Sequence, residues 1–321
     1  MRVPNRSDEL LCYLSDPENP ATEVDPNLLE DLVAKAQNHG VAAIVFRKLV
    51  RDRELPAVSD MRINVQATII MSLKLRAMAN KISKVIAAEK LEAALVKGPV
   101  FANALYAQSA DRPFTDLDIL CSDAARTRLG SFLTDLGLEQ YKRPIFDKTA
   151  ANQEEKWVRF DTPPAYVELH GNLVHYAGLR QRASFGWREL QSIDPANSHA
   201  PLTLFFTAVV HASLGHKFHQ LRLLVDVLQA FRKLNAQERS ALIDHSRALR
   251  LQIETANSLR LVGEMFAQQE ALDTSRRLQS NISWQFTQQV LTAQSVLDAP
   301  YHGSSRLRRH AFRWIQRLAV R

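Results

Sequence analysis

The run Thr115-Asp116-Leu117-Asp118-Ile119-Leu120-Cys121 sets two carboxylates two residues apart among apolar neighbours. Side chains alternate along an extended strand, so Leu117 and Ile119 turn to one face and Asp116 and Asp118 to the other. Two like charges on adjacent same-face positions repel unless a cation lies between them, and carboxylate oxygens suit Mg2+, with Mn2+ as a substitute. Tyr166-Val167-Glu168-Leu169-His170 repeats the pattern: Val167 and Leu169 face a core, while Tyr166, Glu168 and His170 share the opposite side. If the two strands are neighbours, Glu168 completes a three-carboxylate cradle for metal ions that bridge phosphates. It can also accept the proton of an attacking hydroxyl. The aspartate run alone reads equally well as a solvated edge strand; the third carboxylate in matching context weighs against that.

Cationic and imidazole groups accompany these acids. Lys97-Gly98 ends a short apolar run, where a glycine lets backbone amides approach a phosphate and the lysine adds charge. A lone Lys-Gly pair is more simply an ordinary strand-to-helix turn. Arg112 precedes the aspartate strand, placed either to hold a triphosphate oxygen bidentately or to sit on the surface beside Asp111. His170 either touches substrate or bonds a carboxylate. Helical spacing groups His219, Arg222 and Asp226, with an Arg222–Asp226 pair at i, i+4 that serves the site or fastens the helical region to it. His211 falls on an apolar helix face and reads as a hydrogen-bonded buried histidine. The sequence contains no GxSxG, P-loop, GxGxxG or His-Asp dipeptide, which removes the reaction classes built on them.

The elements that must position these groups can be read from periodicity and punctuation. Asp25-Pro26 starts a helix carrying Leu28, Leu29, Leu32 and Ala36, Gly40 breaks it, and Val41 to Leu49 resumes the pattern. Residues 59–90 lack proline and glycine and predict one long helix or two stacked ones. A strand over 93–96 leads through Gly98 into a helix holding Phe101, Leu105 and Tyr106. The aspartate strand 115–121 and a helix Asp123–Leu136, capped by Ser122 and ended by Gly137, come next. Leu138–Arg143, Trp157–Asp161 and Ala165–His170 read as strands. Beyond Pro201, helices are expected over Leu202–Ser213, Lys217–Leu234, Gln237–Leu251, Glu254–Gln268 and Ser275–Leu297, with a hinge over 298–303. The fold expected is α+β: a small mixed β-sheet core in 91–175, flanked by helical regions at 1–90 and 176–303, with a basic amphipathic tail at 304–321.

Bulk properties bound the alternatives. With 321 residues, 46% apolar and 23% charged, the chain has the composition of a water-soluble globular protein. The net charge of +7 is uneven: residues 306–321 hold six arginines and no acid, leaving the remainder near neutral, so a general nucleic-acid surface is not implied. Contact with RNA or a membrane surface is expected only through the tail, where Leu307, Ala311, Trp314, Ile315 and Leu318 recur at helical spacing. Such a helix more commonly packs on the protein itself. Two cysteines without CxxC spacing fit a reducing cytoplasm and argue against a disulfide scaffold and a zinc site. The polar start and the lack of a long apolar run point to a soluble cytoplasmic protein without a signal peptide.

In order, Val96-Lys97-Gly98, Arg112-Pro113-Phe114-Thr115-Asp116-Leu117-Asp118-Ile119-Leu120 and Val167-Glu168-Leu169-His170 resemble an uncharacterised bacterial nucleotidyltransferase family of the polymerase-β-like superfamily. His211 and Leu221-Arg222-Leu223-Leu224-Val225-Asp226-Val227 fall where that family has a histidine and an L-R-h-h-h-D-h helix, so the likeness spans roughly residues 30–235. It implies Mg2+-dependent transfer of a nucleotidyl group from an NTP such as ATP to a hydroxyl or similar acceptor, with pyrophosphate leaving. By the same resemblance Asp116 and Asp118 are metal ligands and Glu168 the third carboxylate. Lys97 and Gly98 are implied at the phosphates. From their own placement Arg112 is expected at the nucleotide, and His170, His211, Arg222 and Asp226 are expected to contact substrate or support the site. One departure stands out: Gly98-Pro99 replaces the usual Gly-Gly or Gly-Ser, removing an amide hydrogen and a hydroxyl from the turn. The acceptor is left open among small molecules, sugars, peptides, proteins and RNA. Two rivals remain, a DxD metal-dependent glycosyltransferase and a noncatalytic nucleotide-binding protein on the same fold.

Overall fold

In the computed structural model, which describes residues 6–49, 56–141, 154–278, 282–298 and 303–318, local signals set most helix starts. Asp25 accepts a hydrogen bond from the Asn27 amide and opens α2 (Pro26–Asn38), which follows α1 (Arg6–Ser15). Gly40, at φ +68°, turns the chain into α3 (Ala42–Lys48). The uninterrupted segment is a single helix, α4 (Pro56–Ala88). α5 (Gly98–Ala104) ends sooner than expected, leaving Leu105 and Tyr106 just beyond it. Ser122 accepts from the Ala125 amide and caps α6 (Asp123–Asp135).

Five strands form one mixed sheet in the order β1-β2-β5-β4-β3: β1 (Ala93–Val96), β2 (Asp116–Cys121), β3 (Glu139–Gln140), β4 (Glu154–Arg159) and β5 (Ala165–His170). β2 and β5 run parallel; β1, β4 and β3 are antiparallel to their neighbours. β4 begins three residues before the expected Trp157, and part of the expected 138–143 strand lies outside the described residues. As the alternation required, Leu117, Ile119, Cys121, Val167 and Leu169 turn to one face, where they pack with α4, α6 and Trp157. The other face carries the charged residues and is roofed by helices.

The roof begins with short α7 (Ala177–Arg180) and α8 (Trp187–Ile193) and continues with α9 (Pro201–Val210), which passes into a π-helical turn, His211–Gly215. α10 (Leu221–Lys233) starts four residues later than expected because Lys217 and Phe218 both adopt positive φ, 52° and 54°. α11 (Ala236–Ala248) and α12 (Gln252–Phe266) match expectation closely. The anticipated 275–297 helix is instead α13 (Gln269–Leu278), α14 (Ile282–Val290) and α15 (Ala293–Leu297), the last capped by Thr292. α1 to α3 share one apolar core with α9, α10 and α12, so the two ends of the chain meet over the sheet.

The basic tail is α16 (Gly303–Leu318). It buries Ser305, Phe312 and Gln316, while Leu307, Trp314 and Leu318 face solvent. Phe312 packs on Phe218, the Gln316 amide donates to Glu254 at 2.7 Å, and Arg313 donates to the Leu214 carbonyl at 2.7 Å. Among the described residues no helix is long and apolar enough to cross a membrane.

Candidate active site

Strand pairing builds the site. In the parallel β2–β5 register Asp118 lies opposite Glu168 and Asp116 opposite Tyr166; β4 places Lys156 opposite Glu168 and Glu154 opposite His170. These side chains share the charged face and line a cleft of about 380 Å³, closed from the helical side by His211, His216 and Arg222. Asp116, Asp118 and Glu168 therefore converge on one cavity. Ligand atoms of Asp118, Glu168 and His170 lie within 4.8 Å of one another; Asp116 lines the same cleft outside that tighter group.

Asp118 is the electrostatic centre. Its Oδ1 accepts from the Lys97 ammonium at 2.6 Å and from His170 Nε2 at 2.8 Å. Burial alone would raise its carboxyl, but Lys97 and His170 outweigh burial and hold it well below the usual carboxylate range. Asp116 shifts the other way, pushed up by burial and then by the charge of Asp118. Glu168 is bonded by Lys156, whose own ammonium is raised by that carboxylate despite burial. Lys97 reaches Asp118 because its backbone takes φ +55°, a left-handed conformation that costs a lysine of order 1–3 kcal/mol. Gly98 follows at φ +30°, and a side chain there would meet the Asp116 carbonyl oxygen at 3.3 Å.

Arg112 is not the open cation expected. It is buried, with Nε and Nη2 on Asp226 at 2.8 and 2.9 Å and Nη1 on the Pro113 carbonyl at 3.1 Å, while the Tyr106 hydroxyl donates to Asp226 at 2.7 Å. This long-range pair replaces the expected Arg222–Asp226 bridge. Arg222 is the cation left over: it lines the cleft, and its Nε is buried without a hydrogen-bond partner among the described residues. Repulsion from Arg112, then burial, lowers its guanidinium to about 10. Gly40 makes room for it, since a Cβ there would lie 3.3 Å from the Arg222 Cδ and Nε.

His170 bonds a carboxylate, one of its two expected roles. His211 is buried on the cleft wall, but its Nδ1 lacks the expected hydrogen bond among the described residues; burial and then Lys97 keep its ring well below the usual histidine value. The π-helical turn that carries it is an element frequently found at functional sites. His219 bonds the His216 carbonyl at 3.1 Å and packs on the His216 ring. Glu154, Lys156, His175 and His216 line the cleft and had no motif in the sequence; only the extension of the β4 alternation would have exposed the first two.

The donor set fits a divalent cation. Three carboxylates face one cleft, Asp116 is penalised by its neighbour's charge, and two lysines stand against the acidic oxygens where a metal would neutralise them. A mixed sheet presenting such acids to a basic, histidine-rimmed cleft under a helical roof is the setting in which relationship can be judged. The model of a family described as uncharacterised nucleotidyltransferase matches residues 25–267, and the chain belongs to that family. No curated protein and no solved structure matches the chain.

Proposed function

We propose that this protein transfers a nucleotidyl group from an NTP to a hydroxyl or similar acceptor, with pyrophosphate leaving, on a polymerase-β-like core formed by residues 91–175. The observation that supports it most is the convergence of Asp116, Asp118 and Glu168 on one cleft that also holds Arg222, whose buried Nε has no hydrogen-bond partner among the described residues. Asp116, Asp118 and Glu168 would hold Mg2+ or Mn2+, which supplies charge neutralisation at the phosphates and eases ionisation of the acceptor hydroxyl. Arg222 binds the triphosphate in place of Arg112, whose part is to hold Asp226 and so fix α10 against the sheet. Lys97 sits on Asp118 and carries a second cation into the same cleft. Glu168 accepts the acceptor proton once Lys156 leaves its oxygen, and the helical roof restricts water. Two free, buried cysteines agree with a cytoplasmic setting.

Lys97 and Lys156 covering the acids, together with Pro99 in the phosphate turn, favour one second reading, a protein that binds nucleotide without turnover. Incubation with each α-labelled NTP, Mg2+ and a cell extract separates the two. Label carried by an acceptor, and absent with Asp116→Asn, supports transfer. Calorimetric binding of ATP that ignores both Mg2+ and Asp116→Asn, with no labelled acceptor, supports the noncatalytic reading.

A further inference from the structure

Beside the carboxylate cradle stands a second cluster with different chemistry. Glu154 on β4, His170 at the end of β5 and His175 in the segment before α7 bring ligand atoms within 4.8 Å of one another. Glu154 lies opposite His170 in the β4–β5 pair, its Oε2 is 3.1 Å from His175 Nδ1, and the two imidazoles meet edge to face at 5.4 Å.

His170 is fully buried, and its two ring nitrogens differ. Nε2 lies 2.8 Å from an Asp118 carboxylate oxygen and donates to it. The other nitrogen, Nδ1, is buried and without a hydrogen-bond partner among the described residues, which leaves it for a ligand. A carboxylate bonded to one nitrogen of a histidine, with the other nitrogen free, is the arrangement that orients a metal-ligating imidazole and raises its basicity. We infer that Glu154, His170 and His175 form a second metal site, for a borderline divalent cation such as Zn2+, with Asp118 holding His170 in the ligating tautomer.

Two imidazoles and one carboxylate match such a cation better than Mg2+, which prefers oxygen alone. Missing cysteine pairs weigh only against thiolate zinc sites. Three protein ligands are the set that leaves a position for an exogenous group. Glu154 and His175 line the cleft, so that group would come from whatever molecule occupies it. The cation would tie β4, β5 and the 171–176 segment together at the floor of the cleft. The site uses neither Asp116 nor Arg222; it shares Asp118 with the proposed transfer site, and only as the partner that orients His170.

The test uses the full chain stripped of metal, titrated with Zn2+ against a chromophoric chelator and with Co2+ by visible absorption, in excess Mg2+. Wild type should bind Zn2+ and develop Co2+ ligand-field bands. His175→Gln and Glu154→Gln, each checked by circular dichroism, should weaken Zn2+ binding about tenfold or more, while Asp116→Asn stays within about twofold. Zn2+ binding unchanged in both His175→Gln and Glu154→Gln, or lost with Asp116→Asn instead, would overturn the inference. Wild-type protein that binds Zn2+ but labels no acceptor would count against the proposed function alone.

Discussion

Arg222→Met is expected to stabilise the free protein and to damage nucleotide binding. Arg222 stands in the cleft with its Nε unpaired, and Arg112, already neutralised by Asp226, still repels it. A guanidinium lowered to about 10 corresponds to roughly 3 kcal/mol of unfavourable interaction at 1.36 kcal/mol per pH unit. The side chain is half-buried, so solvent screening reduces this to about 1–2 kcal/mol. Methionine keeps the unbranched stem that runs past Gly40 and removes the charge. Urea denaturation without nucleotide should therefore give a variant more stable by about 1–2 kcal/mol. With ATP and Mg2+ the order should reverse in part: a ligand at a hundredfold its Kd stabilises by about 2.7 kcal/mol, and a tenfold weaker complex by about 1.4 kcal/mol. A variant less stable than wild type would show that Arg222 has a favourable partner in the free protein. Unchanged stabilisation by ATP would show that it does not meet the triphosphate.

Other perturbations follow from the same geometry. Asp226→Ala leaves the buried Arg112 unpaired and the Tyr106 hydroxyl without its acceptor, and should cost about 3–5 kcal/mol in urea unfolding; a loss below about 1 kcal/mol would contradict the buried pair. His211 is neutral in the fold and protonates more readily when unfolded, so its contribution is complete above about pH 6.5 and declines as pH falls. His211→Gln should flatten the stability slope between about pH 6.5 and 5 by up to 1.36 kcal/mol per pH unit, read from unfolding at several pH values. Phe312→Ala should cost about 3–5 kcal/mol, whereas Trp314→Ala should change stability by less than about 0.5 kcal/mol; the reverse order would mean that α16 docks by its other face.

The sheet and its acids were legible because period-two alternation encodes which side chains share a face, and it holds through Asp116–Ile119 of β2 and Tyr166–Leu169 of β5. Once the two strands are parallel neighbours, Asp118 opposite Glu168 follows from register. The cations were not legible. Spacing favoured Arg222 with Asp226, yet Asp226 pairs with an arginine 114 positions away, because tertiary packing and Tyr106 outweigh a local i, i+4 contact. Lys97 was read toward a phosphate and stands on Asp118, a consequence of a left-handed backbone that no glycine announced. Lys217 and Phe218 hid the start of α10 in the same way. In α16 the stripes Leu307/Trp314/Leu318 and Ser305/Phe312/Gln316 have identical spacing. Hydrophobicity pointed to the first, while contacts with Phe218 and Glu254 bury the second. His175 and His216 lie outside regular helix and strand, where no periodicity marks them.

Anomalous scattering from a crystal grown with Mn2+ and a non-hydrolysable ATP analogue tests the proposed transfer site most directly. The structure leads us to expect Mn2+ in coordination range of Asp116, Asp118 and Glu168, with phosphate oxygens on the cation and Arg222 on the triphosphate. Lys97 and Lys156 should have moved off the acids. Nucleotide bound with no cation at the three carboxylates, or a cation only at Glu154 and His175, would contradict it.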